Sequence, residues 1–185
     1  KPRAVLCSCG AICGSPRIVS PIIEAEEVSV GEQLSLEEAL RRREALRAAV
    51  QTLVFTNGHF DLLHVGHLDY LEKARALGDA LFVGLNGDLS TEQLKGAGRP
   101  IVPANERARL LAALIPVTGV IVFDEPTADR LIQALQPEIY VKGGDYQHKV
   151  LPERSLVEAY GGQVVLIDYL PDHSTSELIR RIKAL

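Results

Sequence analysis

The chain of 185 residues contains no methionine, so Lys1 is expected to follow a removed initiator or a trimmed end. It has no excess of positive charge: 20 Lys and Arg stand against 24 Asp and Glu, a formal net charge of −4. A surface of that sign does not track a phosphodiester backbone, so no nucleic-acid partner is expected. No apolar run approaches the length of a membrane span, and no signal-peptide pattern stands at the amino end. A cytoplasmic protein without a membrane partner is the resulting expectation. Cysteine is missing beyond residue 13. Cys7, Cys9 and Cys13 lie close enough to hold a metal with one outside ligand, but the Cys-x-x-Cys spacing is absent, so free thiols are expected. A Walker-type Gly-x-x-x-x-Gly-Lys-Ser/Thr loop is lacking, and the glycine fingerprint of dinucleotide folds is lacking too. Internal repeats and low-complexity tracts are also absent.

What is present fits one domain, with 46% apolar residues to fill a core. Residues 1–33, rich in Gly, Ser, Pro and Cys at the start, read as an extension or arm, and 34–185 as the folded unit. Ser35 followed by Glu38 forms a capping box that opens a helix to about residue 50, with Arg41-Arg42-Arg43 as its solvated face. Short apolar runs then alternate with helical patterns. Strands are expected at 52–56, 80–86, 118–123, 138–142 and 163–168, and helices at 67–77, 105–114, 127–135, 153–160 and 175–184. That alternation predicts an α/β, Rossmann-like, three-layer fold with a five-stranded, mostly parallel sheet. Ligands of such sheets sit at the carboxyl ends of the strands.

The residues that follow strands are the unusual ones. After the first strand comes Thr56-Asn57-Gly58-His59-Phe60-Asp61-Leu62-Leu63-His64-Val65-Gly66-His67. A strand-to-helix turn exposes backbone N–H groups at the positive end of the helix, a natural anion site. Asn57-Gly58 is suited to a left-handed turn, and Gly66 to close approach of a phosphate. His64 and His67 are three apart, so both rings can face one bound group. Zinc prefers His residues four apart with a Glu between and a third ligand, neither of which is here, so no metal ligands are assigned. Phosphoryl or nucleotidyl chemistry is the indicated class. Asn86-Gly87-Asp88 and a flexible stretch from Lys95 to Arg99 follow the second strand. Lys142-Gly143-Gly144-Asp145-Tyr146 follows the fourth, and Asp172-His173-Ser174-Thr175-Ser176-Glu177 opens the last helix. Ser174 with Glu177 is a capping box, and three hydroxyls at a helix mouth also suit β- and γ-phosphates.

The His motif resembles the signature of the nucleotidyltransferase superfamily marked by His-x-Gly-His, whose members join a substrate phosphate to the α-phosphorus of a nucleoside triphosphate and release pyrophosphate. The set TNG-x-FDLLH-x-GH, LKG, GRPI-x-P, FDE-x-T, VKGGDY and STS-x-LI is most similar to the heptose 1-phosphate adenylyltransferases of ADP-heptose synthesis, over about residues 34–185. The resemblance implies catalytic roles for His64, His67, Lys95 and Arg107, with Arg109 as the alternate to Arg107. It places the nucleotide against Thr56, Asn57, Gly58, Phe60, Gly66, Asn86, Gly143, Gly144, Asp145 and Ser174 to Ser176, and the substrate near Asp61, Asp88, Arg99 and Lys142. It further implies Mg²⁺ carried with the triphosphate, a homodimer, and fusion to or partnership with a sugar kinase. His59 departs from the cysteine usual in that subfamily, and the arginine that cytidylyltransferases carry ahead of the hydroxyl turn is absent. Two other readings are a cytidylyltransferase acting on glycerol phosphate or a related alcohol, and a non-catalytic nucleotide-binding module.

Overall fold

The structure is a computed structural model and describes residues 31–144, 151–171 and 173–185. Asp145, Tyr146, Asp172 and the three cysteines lie outside the described residues. Its elements in chain order are β1 (Glu32–Gln33), α1 (Leu36–Ala48), β2 (Leu53–Gly58), α2 (Val65–Arg75), β3 (Ala80–Asn86), α3 (Asp88–Lys95), α4 (Ala104–Ala112), β4 (Gly119–Phe123), α5 (Asp129–Leu135), β5 (Ile139–Gly143), α6 (Arg154–Ala159), β6 (Gln163–Ile167) and α7 (Thr175–Lys183). The strands form one sheet in the order β1-β4-β3-β2-β5-β6, every pair parallel.

Period-two alternation sorts the central strands between two cores. Leu53, Phe55, Ala80 and Phe82 pack on one face with Ala39 of α1, Leu131, Ile132 and Leu135 of α5, and Val157 of α6. Val54, Leu81, Val83 and Leu85 pack on the other with Tyr70, Leu71 and Ala74 of α2 and Ala108 and Leu111 of α4. β3 is buried along its whole length, as a central strand covered on both faces must be. Because β3 and β4 extend the sheet to one side of β2 while β5 and β6 extend it to the other, the chain reverses direction between β2 and β5. The carboxyl ends of those two strands flank the crevice where such sheets bind ligands.

Two elements go beyond the hydropathy pattern. The sheet has six strands rather than the five expected, because β1 joins the edge beside β4. Both of its residues are exposed and polar, so no apolar period marks them. The backbone sets the pairing, with Leu34 N donating to Val120 O at 2.8 Å. Gly31 is needed there, since a Cβ would fall 2.3 Å from Val117 O. α3 was likewise unmarked, because its buried residues are Ser90 and Thr91 while Leu89 and Leu94 face out.

The capping box of α1 is present in full. Ser35 Oγ accepts from Glu38 N at 3.2 Å, and Ser35 N donates to Glu38 Oε2 at 2.8 Å. The basic run after it is not uniformly solvated, and the expectation fails at Arg43. Its side chain shares a helix face with Ala39 and turns inward. There it donates to Leu135 O and Gln136 O, each at 2.8 Å, and to Glu138 Oε1 at 2.5 Å. Arg43 thereby satisfies the carbonyls at the end of α5.

Candidate active site

The β2–α2 connection does not turn where glycine would make turning easy. Asn57 and Gly58 complete β2, and Asn57 Oδ1 accepts the Tyr140 hydroxyl at 2.7 Å. The left-handed residues are instead Phe60, with φ 46°, and Leu62, with φ 53°. Each such non-glycine residue costs about 1–2 kcal/mol, so the surroundings must hold the path. Asp61, between them, does so. Its buried carboxylate accepts from Arg99 Nε at 2.7 Å and from the Ile101 and Val102 amides at 2.9 and 3.0 Å. Burial by itself would raise the carboxyl pKa. The two amides and Arg99 outweigh it, so Asp61 stays below the usual range and ionised. Asp61 lines the cleft, and its carboxylate also forms an internal clamp that fixes the residues after Gly98.

The turn delivers His64 to the N-cap of α2 and His67 to its first turn, where His67 N donates to His64 O at 2.9 Å. Their rings stack with centroids 3.8 Å apart and an angle of 23°. Phe60 closes over His67 at 5.3 Å. Burial, then the neighbouring His64, push the His67 pKa down to about 4, and burial followed by His173 lowers that of His64. Both rings are thus neutral near pH 7, and the Nδ1 of each is buried without a partner among the described residues. Polar atoms left so at a helix mouth lack only an anion, whose charge would favour the protonated rings. Gly66 lines the cleft. The space a Cβ would fill lies 3.0 Å from His64 Nδ1 and from His173 Cβ, so the glycine seats the ring.

The amino end of α7 meets the same site. Ser174 accepts from Glu177 N at 3.1 Å as the N-cap, and Thr175 Oγ1 donates to Asp61 O at 2.7 Å. That second bond ties the mouth of α7 to the β2–α2 turn. The result is a cleft of about 1260 Å³ lined by both histidines and by Ser174, Thr175 and Ser176. Asn57, Gly58, Phe60, Gly66, Asn86 and Gly143 also line it, as do the cations Lys95, Arg99 and Lys142. His59, which donates to or accepts from Thr91 Oγ1 at 3.1 Å, senses this charge. Burial first, then the positive charges of Lys95, Arg107, Lys142 and Arg99, take its pKa down to about 4. The cations around His59 favour an anion at that end of the cleft.

Other expected residues do not line the cleft. Thr56 is buried, its hydroxyl 2.6 Å from that of Tyr70, which in turn donates to Val141 O. Gly144 lies against Asp168 rather than in the cleft. Asp88 Oδ1 accepts the Ala104 amide and Arg107 Nη2, each at 2.8 Å, so it caps α4. Arg107 is 1% exposed and donates to Val102 O, His59 O, Asn86 O and Asp88, at 2.6 to 2.8 Å. It braces the ends of β2 and β3 and carries positive charge beneath the cleft floor, without a donor reaching the surface. Arg109 is exposed and does not line the cleft. The residues missed from sequence include Tyr169, His173, Arg180 and Glu153, all of which line it. The pattern offered one signal among these: His173 stands directly ahead of the hydroxyl turn.

The cleft brings hydrogen-bond donors, hydroxyls and cations together at the sheet's switch point. Residues 55–181 match the profile of the cytidylyltransferase-like family. The curated relatives include the bifunctional protein HldE of Syntrophotalea carbinolica, 48% identical over 166 residues that make up 86% of this chain and 34% of the relative. The bifunctional protein HldE of Geotalea uraniireducens is 53% identical over 131 residues, 71% of this chain and 27% of the relative. The chain thus spans about a third of the length of the curated relatives it matches. Among solved structures, a lipopolysaccharide core biosynthesis protein from Thermoplasma volcanium covers 65% of this chain with 97% of its own, at 29% identity and a TM-score of 0.53. The pantoate-β-alanine ligase of Francisella tularensis, at 14% identity and a TM-score of 0.57, shares the fold over 84% of this chain and 78% of its own. With the family profile spanning β2 through α7 and the paired imidazoles at the mouth of α2, the chain belongs to the cytidylyltransferase-like family.

Proposed function

We propose that the protein transfers AMP from ATP to the phosphate of heptose 1-phosphate, releasing pyrophosphate and forming ADP-heptose. The observation that carries this reading is the meeting of two helix mouths in one cleft, the stacked neutral histidines of α2 and the hydroxyls of α7. Identity near 50% to proteins named bifunctional HldE supports the choice of a sugar phosphate acceptor. An oxygen of the acceptor phosphate attacks the α-phosphorus, and the bond to the β-phosphate oxygen breaks with its electrons on pyrophosphate. The attacking phosphate is ionised at neutral pH, so no protein base is required. Catalysis rests on positioning and charge stabilisation.

In this scheme His64 and His67 hydrogen-bond the α- and β-phosphates and gain positive character as charge moves to the leaving group. Ser174, Thr175 and Ser176 receive the β- and γ-phosphates at the positive end of α7. Lys95 and Arg99, on the stretch leading out of α3, neutralise the incoming phosphate. Arg107 sustains the field from behind. Mg²⁺ would come with the nucleotide: among the described residues no group of three or more His, Cys, Asp or Glu is placed to hold an ion. When bound it offsets charge on the polyphosphate. The acceptor's phosphate comes from a sugar kinase, fused to or acting beside this chain, in keeping with relatives that are named bifunctional and of which the chain matches 34% and 27%.

Pyrophosphate release with ATP and heptose 1-phosphate tests the reading. Turnover with ATP and not CTP is expected, and His67→Ala should lower it about 10²–10³-fold. Preference for CTP, or near-full turnover of the variant, overturns it.

A further inference from the structure

The cleft wall contains a buried acid that the scheme above does not use. Glu153 stands at the N-cap position of α6 without a side-chain cap and is 7% exposed, yet it lines the cleft, as does Lys142 of β5. One of its oxygens, Oε1, lies 3.8 Å from Lys142 Nζ. The other, Oε2, is buried and has no hydrogen-bond partner among the described residues. An ionised carboxylate only accepts hydrogen bonds, so the group missing from Oε2 must be a donor. Phosphate oxygens are not donors at neutral pH and are repelled by a carboxylate. A cation held by the protein needs further oxygen ligands, and no such cluster exists among the described residues.

Sugar hydroxyls are donors of the kind this oxygen lacks among the described residues, and both substrates of a sugar nucleotidyltransferase carry them. We propose that Glu153 is a specificity-determining residue that accepts hydrogen bonds from vicinal sugar hydroxyls, in a subsite formed where β5 and α6 meet. The proposal rests on the nucleotidyl-transfer reading for its ligands. It does not depend on which sugar, the ribose of the nucleotide or the acceptor, supplies them. A buried acceptor rejects an analogue without the matching hydroxyl far more strongly than an apolar wall would, because the analogue leaves it unpaired.

The test compares the whole chain with Glu153→Gln, which keeps the shape, and Glu153→Asp, which keeps the charge but withdraws it from the cleft. Calorimetry measures binding of ATP, 2′-deoxyATP, 3′-deoxyATP, ITP and inorganic tripolyphosphate, and turnover gives the KM for heptose 1-phosphate. If the ribose is the ligand, the parent chain prefers ATP to a deoxy analogue by about tenfold or more, and both variants lose that preference. If the acceptor is the ligand, the variants keep the nucleotide preference and raise the acceptor KM by about tenfold or more. Loss of the charge beside Lys142 is expected to lower the melting temperature of Glu153→Gln, but tripolyphosphate should bind both variants at least as well as the parent, which separates a lost hydroxyl contact from a damaged fold. Variants that retain both the deoxy discrimination and the acceptor KM, or that lose only the ATP-over-ITP preference, overturn the proposal. Failure of the parent chain to bind tripolyphosphate would instead sink the nucleotidyl-transfer reading.

Discussion

His67 converts the architecture of the site into a measurable pH dependence. In the folded protein its pKa is lowered from 6.5 to about 4, by burial first and by His64 second. In the unfolded chain it titrates at its ordinary value. Between those two values the unfolded state takes up a proton that the native state refuses, so stability is intact above pH 6.5 and is lost as the pH falls toward 4. At pH 4.5 the linkage comes to about 2.5 kcal/mol for this one ring, against almost nothing at pH 7.5. Urea unfolding of the parent chain and of His67→Gln at both pH values isolates it. Carboxylates such as Asp61 and Glu138, which titrate in both proteins, cancel in the difference. The stability of the parent relative to the variant should drop by about 2.5 kcal/mol on acidification. Saturating tripolyphosphate should shrink that drop, because an anion beside the ring stabilises its charged form. Parallel pH profiles for the two proteins, within about 0.5 kcal/mol, would refute the burial argument and remove the reason for regarding the pair as a site awaiting an anion.

Asp61→Asn removes the charge that holds Arg99 and weakens the grip on two amides, and should cost about 3 kcal/mol by urea melts, with faster proteolysis near Gly98. Arg107→Lys puts one ammonium where a guanidinium serves four acceptors; a loss of about 3 kcal/mol is expected, together with a lower turnover, read by melting and by pyrophosphate release. Gly143→Ala places a Cβ 2.0 Å from the Tyr169 ring, so Tyr169 must move. A loss of about 1–3 kcal/mol in thermal unfolding is expected.

The fold was legible wherever burial wrote a period into the chain. β3, matched at both ends, is apolar throughout because both faces are covered. The strand-to-helix alternation gave the parallel sheet because only crossovers join parallel neighbours. Elements stabilised by the backbone left no such trace. β1 is two exposed polar residues joined to an edge by amides, and α3 buries hydroxyls in place of apolar groups. Arg43 exposes the same limit on a helix: a basic run looks solvated in one dimension, but 3.6 residues per turn carries its last member onto the face that meets α5.

At the site, the sequence identified chemistry by residue type, and the structure divides those residues by whether their polar atoms are already spent. His64 and His67 keep unpartnered nitrogens. Asp88 and Arg107 carry charges that a motif reading gives to the site, yet neither lines the cleft and both brace the loops around it, as Asp61 does from the cleft wall. Their function is one step removed. Phe60 and Leu62 hold left-handed backbone only because Asp61 is anchored on both sides, through its carboxylate to the stretch after Gly98 and through its carbonyl to Thr175. Remove that anchor and the two helix mouths lose their common reference, although no residue proposed to touch phosphate has changed. The strain at the turn and the convergence of α2 with α7 are therefore one physical fact, and it is invisible to any pattern confined to neighbours in sequence, because Asp61 and Thr175 stand 114 positions apart.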